Sequence, residues 1–134
     1  MIKYFMKQVI AMSSVILITG KVQFKINLDP TIWIIDDRRF SLSDRIPGTE
    51  GLAMELAPFL NNAGPAPDAT HVILHRSVGE KVILTMEQAQ TSFLCFAKEN
   101  KPIREGGPAL LYLADGSNKE NPVSHLTELE VTSM

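Results

Sequence analysis

The chain has 134 residues and a formal charge of −2, with 45% hydrophobic and 21% charged residues. That length fits one domain with a single sizeable core, and the small negative charge offers no polycationic surface for nucleic acid or an anionic membrane. The one cysteine, Cys95, excludes an intramolecular disulfide and any multi-cysteine zinc site, which fits a reduced, cytoplasmic compartment.

Residues 1–18, MIKYFMKQVIAMSSVILI, combine two lysines with an apolar run. The densest part, Val15 to Ile18, is too short for a signal core, and no small-x-small cleavage site follows. The run is also shorter than the roughly 20 apolar residues that span a bilayer. Met12 makes a sensible start for a domain over residues 12–134, with residues 1–11 an extension outside the fold.

Val15–Thr19 is β-branched and predicts a strand that turns at Gly20. Val22, Phe24, Ile26 and Leu28 then alternate with polar residues, the period-two pattern of a strand with one wet face. Asp29-Pro30 interrupts, and Thr31–Ile35 (TIWII) is expected as a buried strand. Asp36-Asp37 predicts a turn leading into Arg39–Leu42, and Ser43–Gly51, with Pro47, Gly48 and Gly51, a loop. Leu52, Leu56, Phe59 and Leu60 fall at i, i+4, i+7 and i+8, the apolar face of a helix that Pro58 kinks or restricts to its second half. Asn61-Asn62-Ala63-Gly64 suits its C-terminal cap.

His71–His75 and Lys81–Leu84 predict a hairpin across Ser77–Glu80. Thr85 is placed to cap a short helix over Met86–Gln90, with Gln88 in the capping-box position. Phe93–Ala97 reads as an apolar strand, Glu99–Pro102 as a turn, Ala109–Leu113 as a buried strand and Leu129–Val131 as a last edge strand. The expected fold class is α+β: one mixed, β-rich domain with short helices.

The order of these segments carries a resemblance. Gly51–Gly64 (GLAMELAPFLNNAG) stands where the oxidoreductase molybdopterin-binding domain of the sulfite oxidase family has "GVPLxxLLxxAG". Thr70–Gln90 follows as strand, hairpin and helix. Glu99–Ile103 (ENKPI) and Gly106–Gly116 (GGPALLYLADG) are similar to that family's "NGxPL" and "GxPLRLVVPG" segments. The resemblance covers about two thirds of the chain and implies the family's fold. It also implies a cofactor cleft walled by Ser43–Gly51, the hairpin tip Arg76–Lys81 and the loop Asp115–Val123. Within it, Arg45, Arg76, Arg104 and Lys119 are the candidates for binding an anion.

Two departures bear on chemistry. The family's metal-ligating cysteine lies just before "GVPL", whereas Ser43–Glu50 contains none. The arginine of "PLR" is replaced by apolar residues around Ala109 and Leu110. A molybdenum pterin needs a thiolate ligand and cationic or main-chain donors for its phosphate, so molybdopterin is not expected as a cofactor.

Other constellations have plain structural readings. His71 and His75, four apart on a strand, share a face about 13 Å apart, too far for one ion, although adding His125 makes a three-histidine metal site conceivable. Asp36, Asp37 and Asp44 lie near Arg38, Arg39 and Arg45 and read as turn chemistry. Cys95, among Phe93, Leu94 and Phe96, reads as a buried thiol and not a nucleophile. Gly106-Gly107-Pro108 lacks the Lys-Ser/Thr and helix of a phosphate loop. Trp33, Phe40, Phe59, Phe93, Phe96 and Tyr112 are core candidates.

The sequence therefore predicts a cofactor-free binding or interaction module, taking a small molecule or a protein. The alternative is a small isomerase or hydrolase, or a pterin-binding oxidoreductase, using the same cleft. A homodimer paired through Val15–Thr19 as an exposed edge is a further expectation.

Overall fold

The computed structural model describes residues 14–134; the expected extension over residues 1–11 lies outside the described residues. Ten strands form two five-stranded sheets. The first is built from β1 (Ile16–Gly20), β2 (Ile26–Leu28), β5 (His71–Arg76), β6 (Val82–Thr85) and β10 (Leu126–Thr132), in the order β2-β1-β10-β5-β6. The second runs β3 (Phe40–Ser41), β4 (Leu52–Glu55), β7 (Phe93–Lys98), β8 (Lys101–Pro102), with β9 (Leu110–Tyr112) also pairing β7. Two short helices, α1 (Ala57–Asn62) and α2 (Met86–Thr91), and two 3-10 turns complete it.

Local signals account for much of this. Thr85 accepts from the Gln88 amide and Gln88 reaches back to the Thr85 amide, the reciprocal capping box expected of α2. β5 and β6 pair antiparallel from His71↔Thr85 to Leu74↔Val82, and β1 and β2 likewise from Ile16↔Leu28. In β5 the burial alternates, with Val72 and Leu74 inward and His71, Ile73 and His75 outward.

Four expectations are corrected. Thr31–Ile35 is not a buried strand but part of a 3-10 helix, Pro30–Ile35. Asp29 caps it by accepting from the Thr31 amide, and Pro30 presets the backbone angle of its first residue. Of Thr31–Ile35 only Trp33 turns inward, at 3% exposure, while Ile35 is 81% exposed. Leu52–Glu55 is strand, not helix, and Pro58 sits in the first turn of α1, where a missing amide costs nothing. Leu129–Val131 belongs to β10, which is no edge: it pairs parallel with β1 and antiparallel with β5. β1 is thereby flanked on both sides, so it cannot offer the unpaired edge through which a dimer was expected.

The larger core lies between the sheets, where Ile16, Ile18, Leu74, Leu94, Leu111 and Leu129 are fully buried. A smaller cluster on the other face of the second sheet holds Leu42, Ile46, Ala53, Phe93, Cys95, Leu110 and Tyr112. β7 therefore has two buried faces, which explains its continuous apolar run. The aromatic core candidates pack as expected. Trp33 stacks on Phe59 at 5.1 Å and meets Phe96 edge-on at 5.7 Å, and Phe40 meets Phe93 edge-on at 5.4 Å.

Leu129→Ala removes a fully buried side chain and is expected to cost about 2–5 kcal/mol in urea unfolding. Ile35→Ala, on the exposed 3-10 turn, is expected to stay within about 0.5 kcal/mol; a comparable loss at both positions would contradict this placement of TIWII.

Candidate functional site

The cleft implied by the family resemblance has walls that meet. Lys119 Nζ lies 3.5 Å from the Pro47 carbonyl oxygen, and Gly116 sits against Ile46, whose Cγ2 would be 3.4 Å from a Cβ at that glycine. Asn118 fastens the second loop to β9, its side-chain oxygen accepting from the Leu113 amide and its nitrogen donating to the Leu111 carbonyl. Beneath the first loop lies the smaller apolar cluster.

Cys95 belongs to that cluster. Its thiol is 3.7 Å from the Ala97 carbonyl oxygen, and the backbone of Gly51 crosses directly over it. A Cβ at Gly51 would lie 2.9 Å from the Cys95 sulfur and 2.6 Å from the Ala97 oxygen, so only glycine fits this crossing. Burial pushes the Cys95 thiol above its ordinary range, partly offset by the Ala97 hydrogen bond and nearby Lys98. Tyr112, in the same cluster, is raised mainly by its own burial. These are the conditions of an inert thiol.

The four candidate anion binders differ in what already holds them. Arg45 pairs with Glu55 at 2.9 Å and lies over the rings of Phe40 and Phe93 at 4.5 and 5.4 Å. Arg76 donates to the Ser124 carbonyl, the Ser124 hydroxyl and the Glu80 carbonyl, clasping its own hairpin to the start of β10. Lys119 closes the loop contact at Pro47. The side chain of Arg104 alone of the four has no hydrogen bond or ion pair with any described residue, and it lines a groove together with Ser77 of the hairpin tip.

That groove, about 960 Å³, runs along Leu17, Asn27, Ser77, Arg104, Leu126 and Thr127. Beside it is an apolar pocket of about 220 Å³ walled by Pro30, Ile34, Phe96, Pro102, Ile103 and Pro108. Ile103 and Pro108 line both. Gly106-Gly107-Pro108 serves here as a tight turn, as expected. The Ile103 carbonyl oxygen would be 2.2 Å from a Cβ at Gly107, so the backbone passes where no side chain fits.

The histidines do not converge. His71 and His75 share the outer face of β5. His71 Nδ1 is 2.7 Å from the Thr70 hydroxyl, and His75 Nε2 is 2.8 Å from Glu130 Oε1. His125 sits at φ 60 at the start of β10, its amide donating to the Gly106 carbonyl and its carbonyl accepting from the Ser77 amide. It is a backbone joint between the hairpin and the glycine turn. Among the described residues, no three His, Cys, Asp or Glu side chains gather to hold a metal. Asp36 is held at about 2 by its hydrogen bonds and ion pair with Arg38, which is turn chemistry as read.

No family model matches the sequence, and no curated protein matches it. Among solved structures, the sulfane dehydrogenase SoxCD from Paracoccus pantotrophus is similar at a TM-score of 0.65 and 14% identity. The match covers 90% of this chain but 38% of that one. At that identity the likeness shows the fold. The chain has the sheet-rich α+β fold of the sulfite oxidase molybdopterin-domain type and spans well under half the length of this neighbour. No helix among the described residues is long and apolar enough to cross a membrane.

Sequence reasoning missed Ile34, Ile103 and Pro108 as pocket walls. The usable signal was Asp29-Pro30, a capping pair that turns the following apolar residues into a helix with exposed sides.

Cys95 is expected to react with a thiol reagent only on unfolding. Its ultraviolet thiolate absorbance is expected to appear above the ordinary thiol range. Because the native state keeps its proton longer, stability falls as pH rises past the ordinary thiol pKa, where the unfolded chain ionises first. Rapid native labelling would show the thiol to be accessible.

Proposed function

We propose that this chain is a cofactor-free binding or interaction module built on the sulfite oxidase molybdopterin-domain fold. The observation that carries the reading is the position of its only thiol. A molybdenum pterin in the family's manner requires a thiolate presented by the loop before Gly51, where the chain has no cysteine. Cys95 lies behind that loop, under Gly51, in an apolar cluster that disfavours the thiolate.

The cationic side of the argument agrees. A phosphate-bearing pterin needs donors free to reach it. Arg45 is paired with Glu55, Arg76 clasps Ser124 and Glu80, and Lys119 closes the two loops on each other. Recruiting any of them would break a contact that shapes the site. The residues present do not fit the cofactor. The His75–Glu130 pair lies on the open outer face of the first sheet, about a third exposed, and lines neither the groove nor the pocket. It offers an isomerase or hydrolase no enclosed place for a substrate.

The test is metal analysis, with pterin fluorescence after oxidation, on protein from a host able to make the molybdenum cofactor. The expected result is folded protein with neither molybdenum nor pterin in stoichiometric amount. Stoichiometric molybdenum or pterin would sink the reading and make Cys95→Ser the next variant to measure.

A further inference from the structure

We infer that the pocket beside Pro108 and the groove beside Arg104 form one site for a small amphipathic carboxylate, its aliphatic tail in the pocket and its anionic head at Arg104. The inference rests on the binding-module reading and names the ligand class.

Three observations carry it. First, the pocket is mostly apolar and adjoins the groove at Ser14, Ile103 and Pro108, which line both, so one extended molecule has a wall in common to follow from one to the other. Second, Arg104 is the one charged residue among those lining the groove, and it follows Ile103 directly in the chain. It is exposed, and its side chain has no hydrogen bond or ion pair with any described residue. A guanidinium in that state presents a planar pair of donors, the geometry a carboxylate accepts.

Third, the pocket wall discriminates against a peptide. Pro30, Pro102 and Pro108 contribute to it, and proline has no backbone N–H to donate. An entering peptide would find no amide donor at those three positions and only Ser14, Thr31 and Asn100 as polar side chains, so its main-chain groups are less well partnered than in water. A hydrocarbon tail makes no such demand. The exposure of Ile34 at the rim then has a use, since the 3-10 turn that pushes Ile34 outward also makes it one wall of the pocket.

The experiment is calorimetric titration of the full chain with octanoate, decanoate and dodecanoate, and with decanol as the uncharged match. Affinity is expected to rise about threefold to fourfold per methylene, the increment for burying hydrocarbon. Decanol is expected to bind about fivefold to tenfold more weakly than decanoate, the range for a partly solvated charged hydrogen bond. Arg104→Gln should remove that difference by weakening decanoate alone, and Ile34→Glu should abolish uptake of both, each with an unchanged circular dichroism spectrum.

The inference falls if folded protein takes up no carboxylate, if affinity is independent of tail length, or if Arg104→Gln binds decanoate as the parent does. It also falls if the parent is a dimer that Ile34→Glu dissociates, since the occupant is then a second copy. Molybdenum content of the same preparation separates the two failures: carboxylate binding lost without molybdenum removes only the ligand class, whereas stoichiometric molybdenum removes the underlying reading.

Discussion

The fold depends on where its last strand goes. β10 enters the middle of the first sheet, parallel to β1 and antiparallel to β5, so the first and last described strands are neighbours. Leu126, Leu129 and Val131 are buried from that strand into the shared core. The closeness is steric as well as hydrogen-bonded. Gly20 pairs with Val131, whose carbonyl oxygen would lie 2.2 Å from a Cβ at that glycine and accepts instead from the Lys21 amide. A parallel pair joined through more than a hundred residues of chain closes late and only if everything between has taken its place. The hairpin of β5 and β6 and the capped helix after it can form locally. The sheet they belong to cannot be completed without β10.

That strand also sets the two ends where ligands can approach. At its start, Ser124 and His125 are tied to Arg76, Ser77 and Gly106, so the hairpin tip, the glycine turn and β10 move as one piece. Leu126 and Thr127 then form part of the groove floor beside Arg104. The groove is thus a product of sheet closure, whereas the loops of the family-type cleft are braced by side-chain contacts of their own, Lys119 to Pro47 and Asn118 to β9. One region is held shut by local contacts and the other is left open by topology.

What the sequence disclosed divides along the same line. Patterns satisfied within a few residues were legible: the alternation of β5, the Thr85–Gln88 box, the apolar run of β7. TIWII was not, because a short apolar run reads equally as strand or helix turn, and only the Asp29 side chain on the Thr31 amide decides it. Leu52–Glu55 misled because Leu52, Leu56, Phe59 and Leu60 match a helical period by coincidence, while the helix begins at Ala57 with Pro58 in its first turn. The central position of β10 had no local signature at all. Among the candidate site residues, Arg45 and Arg76 looked available because their partners, Glu55 and Ser124, are distant in sequence. Arg104 lines a groove together with Ser77 of the hairpin tip.

The same reasoning bears on the proposed cofactor-free reading. A cofactor site of this type asks three things of the chain: a thiolate in one loop, free cations around it, and separation of the walls. In the proposed reading a structural contact stands in the place of each. The only thiol lies in the core of the second sheet, where a polarisable, uncharged side chain packs against Gly51 and Ala97. The cations hold backbone and carboxylate partners, and the walls touch. Each substitute stabilises the fold locally, and each makes the return of a bulky anion more costly, because admitting it would mean separating the loops and stranding Glu55 or the Ser124 carbonyl without a partner. On the proposed reading, a domain so arranged keeps its architecture through contacts that disfavour a bulky anion in that cleft, and a ligand would use surface that those contacts leave free.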